Sequence, residues 1–173
     1  MTESAKVPSR SEREAKIKDK AGFVIVFFAA LLAINTMLGG SNSSKIMNNT
    51  IAANNQWAWY QAKNVRQVLY ETSAMEAKVP ENKAKFEAEA ARMEVDKREI
   101  MEKAKALEAE RELAKQKSPW FTWGGSTLQI AIVLLTASIL AVSMPMFWIS
   151  LVVGIAGSLF VSQAVWMWLP LVL

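Results

Sequence analysis

Apolar and charged positions are sorted into blocks along this chain instead of alternating at helix or strand period. Charges occupy residues 1–20 and 45–117; Ala21 to Gly40, and everything from Ser118 onward, carry none. A globular core mixes the two kinds, whereas block sorting is what a bilayer demands. Gly22–Gly40, GFVIVFFAALLAINTMLGG, is apolar apart from Asn35 and Thr36, and as a helix it covers roughly 28 Å, about one hydrocarbon thickness. A secretory leader is the rival reading. Its apolar core runs to only about 7–15 residues, so residues 22–40 are expected to be an uncleaved first span behind a basic tail, residues 1–21. The uncharged stretch Gly124–Leu173 holds about 50 residues, enough for two spans and a tight turn. Pro145 in SMPMFW is the expected break, giving a second span over 126–144 and a third over 147–169.

Aromatic residues flank these spans as interfacial belts do: Trp120, Phe121 and Trp123 before the second, Trp166 and Trp168 closing the third, Phe147 and Trp148 at the turn. Folding about Pro145 brings Gln129 and Gln163 to one depth, where an amide–amide hydrogen bond is expected. Gly154, Gly157 and Ser158 would let helices approach closely. The spans contain no Asp, Glu, Lys or Arg, which argues against a pump or secondary transporter and leaves open a pore lined by Asn35, Thr36, Ser and Gln.

Residues 41–118 are rich in Ala, Glu, Lys, Gln and Arg, a long-helix composition. Pro80 splits them into two arms of similar length, predicting an antiparallel, coiled-coil-like helical hairpin with its turn near 79–80. The second arm repeats Phe86, Met93, Ile100, Leu107 and Ala114 every seven residues, with charged Glu89, Asp96, Lys103 and Glu110 between them. On the first arm Ile51, Ala58, Val65, Thr72 and Val79, joined by Val68 and Met75, predict the matching seam. The Glu/Lys alternation reads as a solvated face.

The run NNQWAWYQAKNVRQVLYE, Asn54–Glu71, sets aromatics among amides. Folding the arms places Trp57, Trp59 and Tyr60 opposite Ile100, Met101 and Ala104, as an aromatic plug. A second face, Trp59, Lys63, Arg66 and Tyr70, alternates cations with aromatics and suits cation–π contact with a neighbouring protomer, another protein or lipid headgroups; Gln61 supplies a further hydrogen-bonding group. These seven residues are the candidate interaction site.

Composition narrows the chemistry. The chain has no Cys and no His, which removes thiolate, disulfide, imidazole and Cys/His metal chemistry. No catalytic residues, cofactor or metal are expected, and the chain reads as a non-enzyme. Twenty Lys and Arg against sixteen acids, interspersed, form no concentrated basic patch for nucleic acid.

NNQWAWYQAKNVRQ, a charged helix and a late AIVLL…WISLVVGIAGSLF hairpin together resemble a bacterial family described as a domain of unknown function, DUF4337. The most specific element is W-x-x-Y-Q-A-K at Trp57, Tyr60, Gln61, Ala62 and Lys63. The resemblance covers most of residues 22–170 and implies a three-span membrane protein with a long polar insertion between spans one and two, and no established activity. The family often carries basic residues in the last turn; SMPMFW has none.

Lys6, Arg10, Arg13, Lys16, Lys18 and Lys20 in the tail favour a cytoplasmic N-terminus, hence a periplasmic hairpin, in a bacterial inner membrane. Lys105, Arg111, Lys115 and Lys117 pull the other way, but long loops translocate largely regardless of charge. The role expected is a structural scaffold that forms homo-oligomers or binds a protein partner through its hairpin. The alternative is a small oligomeric channel or holin-like, membrane-permeabilising protein.

Overall fold

The computed structural model describes residues 10–169. Among them the chain forms three helices and no strand: α1 over Arg10–Glu76, α2 over Pro80–Leu140 and α3 over Met144–Trp166. Each has a stretch long and apolar enough to cross a membrane, so the architecture is that of an all-α, three-span membrane protein. The chain divides into two compact units. Of the described residues, one takes those up to Asn42 together with those from Gln116 onward; the other is Ser43–Lys115.

The first unit is apolar outside and partly polar inside. Phe23, Val26 and Ile34 of α1, Ile130 and Val133 of α2, and Ile149, Val152 and Ile155 of α3 are exposed, whereas Asn35, Ser138, Ser150 and Gln163 are buried. Lipid tails solvate such an outer surface, and they offer polar groups no partner, so those groups must pair within the protein. Ser138 Oγ donates to the Leu135 carbonyl at 2.7 Å, and Ser150 Oγ donates to that of Met146. Phe28, Leu128, Leu135, Phe147 and Val161 form the apolar centre.

Glycines set how closely these helices meet. A Cβ on Gly154 would lie 2.0 Å from the Phe28 ring, and one on Gly157 would lie 3.0 Å from the Leu128 backbone nitrogen. Gly154 thus admits α1 and Gly157 admits α2. Ser158 turns back along α3, its Oγ donating to the Gly154 carbonyl at 2.8 Å.

Ala77, Lys78 and Val79 separate α1 from α2, and Pro80 takes the first helical position, where its missing N–H breaks no bond. The second break lies before Pro145, not at it. α2 ends at Leu140, and Ala141–Ser143 turn the chain: Val142 N donates to Ile139 O at 3.2 Å and Ser143 N to Ser138 O at 3.0 Å. This closure satisfies the terminal carbonyls and requires a left-handed residue, here Val142 at φ 49°. Pro145 therefore opens α3 instead of ending α2. α1 is unbroken through Gly39, Gly40 and Ser41, and α2 through Pro119.

Two substitutions should move the stability of the detergent-solubilised protein in opposite directions, read as thermal unfolding midpoints. Gly154→Ala overpacks the Phe28 contact and is expected to destabilise by about 1–3 kcal/mol, with partial recovery when Phe28→Leu is added. Val142→Gly removes a β-branched side chain from a left-handed position and is expected to stabilise by roughly 0.5–1 kcal/mol.

Candidate interaction site

In the second unit, α1 and α2 meet along two heptad rows each. On α1 they are Ile46, Ala53, Tyr60, Gln67 and Ala74, alternating with Asn49, Gln56, Lys63 and Tyr70. On α2 they are Phe86, Met93, Ile100, Leu107 and Ala114, alternating with Ala90, Lys97, Ala104 and Arg111. All are buried or half-buried, at the spacing of packed helix pairs. The α2 rows follow the apolar repeat, but the second row falls one residue after the charged positions Glu89, Asp96, Lys103 and Glu110.

On α1 the predicted seam is not the one used. Ile51, Ala58, Val65, Val68, Thr72, Met75 and Val79 are all exposed. The inward side is the amide- and aromatic-rich one, because the polar groups of α2 find partners there. Trp57 Nε1 donates to Glu108 Oε1 at 2.9 Å. Lys63 Nζ lies 2.6 Å from Asp96 Oδ2. Glu110 Oε2 accepts from Asn49 Nδ2 at 3.4 Å and lies 3.3 Å from Lys45 Nζ. Partner numbers fall along α2 as they rise along α1, so the two segments run antiparallel.

Lys97 is the most connected of these groups. It is 8 % exposed, and its ammonium donates to Asn64 Oδ1 at 3.0 Å and to Gln67 Oε1 at 2.7 Å. Glu94 Oε2 is 3.0 Å away, and the Tyr60 ring centroid lies 5.5 Å below it. A cation this buried requires such a set of acceptors. The acids register the pairing. Glu94 is held below its ordinary carboxylate value, chiefly by the Lys97 hydrogen bond; Asp96 is lowered by that from Lys63, and Glu110 by those from Lys45 and Asn49.

The structure divides the aromatic run. Trp57 and Tyr60 turn toward α2 and meet edge to face, centroids 5.7 Å apart. Tyr70 stacks on Phe86 at 6.4 Å. Trp59, Gln61 and Arg66 are exposed, so Trp59 is outside the seam in which the plug would place it. Met101 lies beside Tyr60 and Lys97 around a shallow cavity. The predicted Trp59–Lys63–Arg66–Tyr70 face is therefore split: Lys63 and Tyr70 engage α2, while Trp59 and Arg66 point outward and border a shallow depression with Ala62 and Lys63. Among the described residues the cation–π pair is Lys97 on Tyr60.

In the first unit, Gln129 and Gln163 do not bond to each other. Gln163 is buried and grips the end of α3, donating to Leu169 O at 2.6 Å and accepting from Leu169 N at 3.0 Å. The unwound Met167–Leu169 backbone supplies both groups next to it, whereas Gln129 is exposed. Asn35 is turned inward: its Nδ2 donates to Phe121 O at 3.0 Å, and a Cβ on Gly125 would lie 2.9 Å from that nitrogen. Lys97 was not among the candidates. Its one signal in the sequence is a basic residue whose neighbours three, four and seven positions away, Ala90, Met93, Ile100 and Ala104, are small or apolar.

Lowered carboxylate values fix a sign. Asp and Glu bound more weakly to protons in the folded state stabilise it above their ordinary values, 3.8 and 4.5, and that contribution is lost as pH falls through the lowered ones. Circular dichroism melts are expected to hold a constant midpoint from neutral pH to about 5 and to decline below it. Lys97→Ala, which strips donors from Asn64, Gln67 and Glu94, is expected to destabilise by about 1–3 kcal/mol at neutral pH.

The chain matches the model of the family described as Domain of unknown function (DUF4337) over residues 17–167. No curated protein and no solved structure matches it. The match takes in both compact units, and the chain, a multi-pass membrane protein, belongs to the DUF4337 family.

Proposed function

We propose that this protein is a structural scaffold of a bacterial inner membrane, anchored by three spans and self-associating or binding a protein partner through a coiled-coil-like helical hairpin within residues 43–115. The observation that carries the reading is the cross-bracing centred on Lys97: Asn64, Gln67, Glu94 and Tyr60 all converge on one ammonium between two long helices. Such a braced pair presents fixed outer surfaces, which suits assembly and involves no catalytic step or cofactor. The basic tail favours a cytoplasmic N-terminus and a periplasmic hairpin.

The second reading is a small oligomeric channel or holin-like protein. It needs polar span residues turned toward a shared pore. Asn35 instead turns inward, its amide nitrogen donating to Phe121 O within the first unit, which favours the scaffold.

Light scattering of the full-length protein in detergent is expected to give a defined oligomer. Liposomes carrying the protein are expected to retain a trapped dye as well as protein-free ones do. A monomer at all concentrations removes the self-associating scaffold, and leakage altered by Asn35→Ala replaces it with the channel.

A further inference from the structure

The seam expected between the arms is, on α1, a surface left exposed among the described residues. Ile51, Ala58, Val65 and Thr72 recur every seven residues, broadened by Ala62 and Leu69, and every one is exposed. Ile51 is 53 %, Val65 68 % and Leu69 62 % exposed. We infer that this stripe is the contact surface for a second copy of the same chain, with the two α1 helices side by side and parallel. The inference rests on the self-association proposed above and names the surface responsible for it.

Three observations favour a second copy. First, the period is seven over three repeats, the period of a helix wound on another helix. A helix lying on a bilayer buries a broad face at period 3.6 and has no need of a seven-residue seam. Second, the residues of the stripe themselves carry no charge; the exposed Arg66 borders it at Ala62. The outer face of α2 offers no such surface: Lys85, Arg92, Glu99 and Lys103 are exposed there. Third, Ile51, Val65 and Leu69 each keep more than half of their surface uncovered, apolar area that a second copy would take out of water.

In a parallel pair a two-fold axis along the helices sets each residue opposite itself. Val65 then meets Val65 of the second copy, and Ala58 meets Ala58. Gln61, exposed beside the stripe, faces its own counterpart. An amide pair in an apolar seam holds register, since any slip leaves both amides against aliphatic groups.

The absence of cysteine from the chain makes the test clean. Full-length Val65→Cys and Ala58→Cys, in native membranes under mild oxidation, are expected to convert mostly to covalent dimers on non-reducing gels. A disulfide needs Cα atoms within about 4.4–6.8 Å, which only direct apposition provides. Val95→Cys, equally exposed on α2, is expected to stay monomeric. Val65→Glu with Leu69→Glu is expected to reduce the mass of the detergent-solubilised particle to that of one chain while helical content is kept. An oligomeric wild type whose stripe cysteines do not cross-link overturns this inference and leaves the scaffold reading standing. A monomeric wild type overturns both. Stripe cysteines shielded from a water-soluble thiol reagent in proportion to added lipid, with no cross-link, assign the stripe to the bilayer and overturn it too.

Discussion

A charge taken out of water must be met by partners, and the arrangement of the second unit follows from that requirement at Lys97. Desolvating an unpaired ammonium costs more than one helix–helix contact returns, so α2 seats Lys97 only against a surface rich in acceptors. α1 has one such surface, carrying Asn64 and Gln67, with Tyr60 contributing its ring face. Choosing it turns Trp57 toward Glu108 and Lys63 toward Asp96. The same choice turns Ile51, Val65 and Leu69 away. Buried ionic contacts often add little net stability, but they discriminate strongly between alternative pairings, and here the alternatives are two faces of one helix.

The first unit obeys the same rule in a different solvent. Lipid cannot hydrogen-bond, so Asn35, Ser138, Ser150 and Gln163 point inward, each to a backbone group of its own unit. Exposing Leu or Ile to lipid costs nothing, so apolar burial does not drive these helices together. Close approach does, which is why glycine appears where Phe28 and Leu128 come nearest α3. In both units polar pairing selects the interior. In the first, the apolar remainder has lipid to cover it; in the second, the remainder is the α1 stripe.

Legibility differed between the two units for physical reasons. The spans stand out because a bilayer demands about 20 uncharged residues regardless of what packs beside them, and Pro80 marks its break because proline is tolerated at a first helical turn. Pro145 misled by a few residues for the same reason: it too opens a helix, and the turn before it is closed by Val142 in a conformation that composition does not announce. The aromatic run stands out from the charged sequence around it, but which of its members turn inward was not legible there.

Block sorting of charge thus establishes a three-span helical membrane protein from one dimension alone, because hydration of charge is a property of each residue. The side of α1 that meets α2, the partner of Gln163 and the position of Asn35 were decided in three dimensions. Each depends on which acceptor a distant segment brings within hydrogen-bonding distance, and α1 carries two heptad stripes of equal period. Periodicity could not choose between them; the buried cation on the opposite helix did.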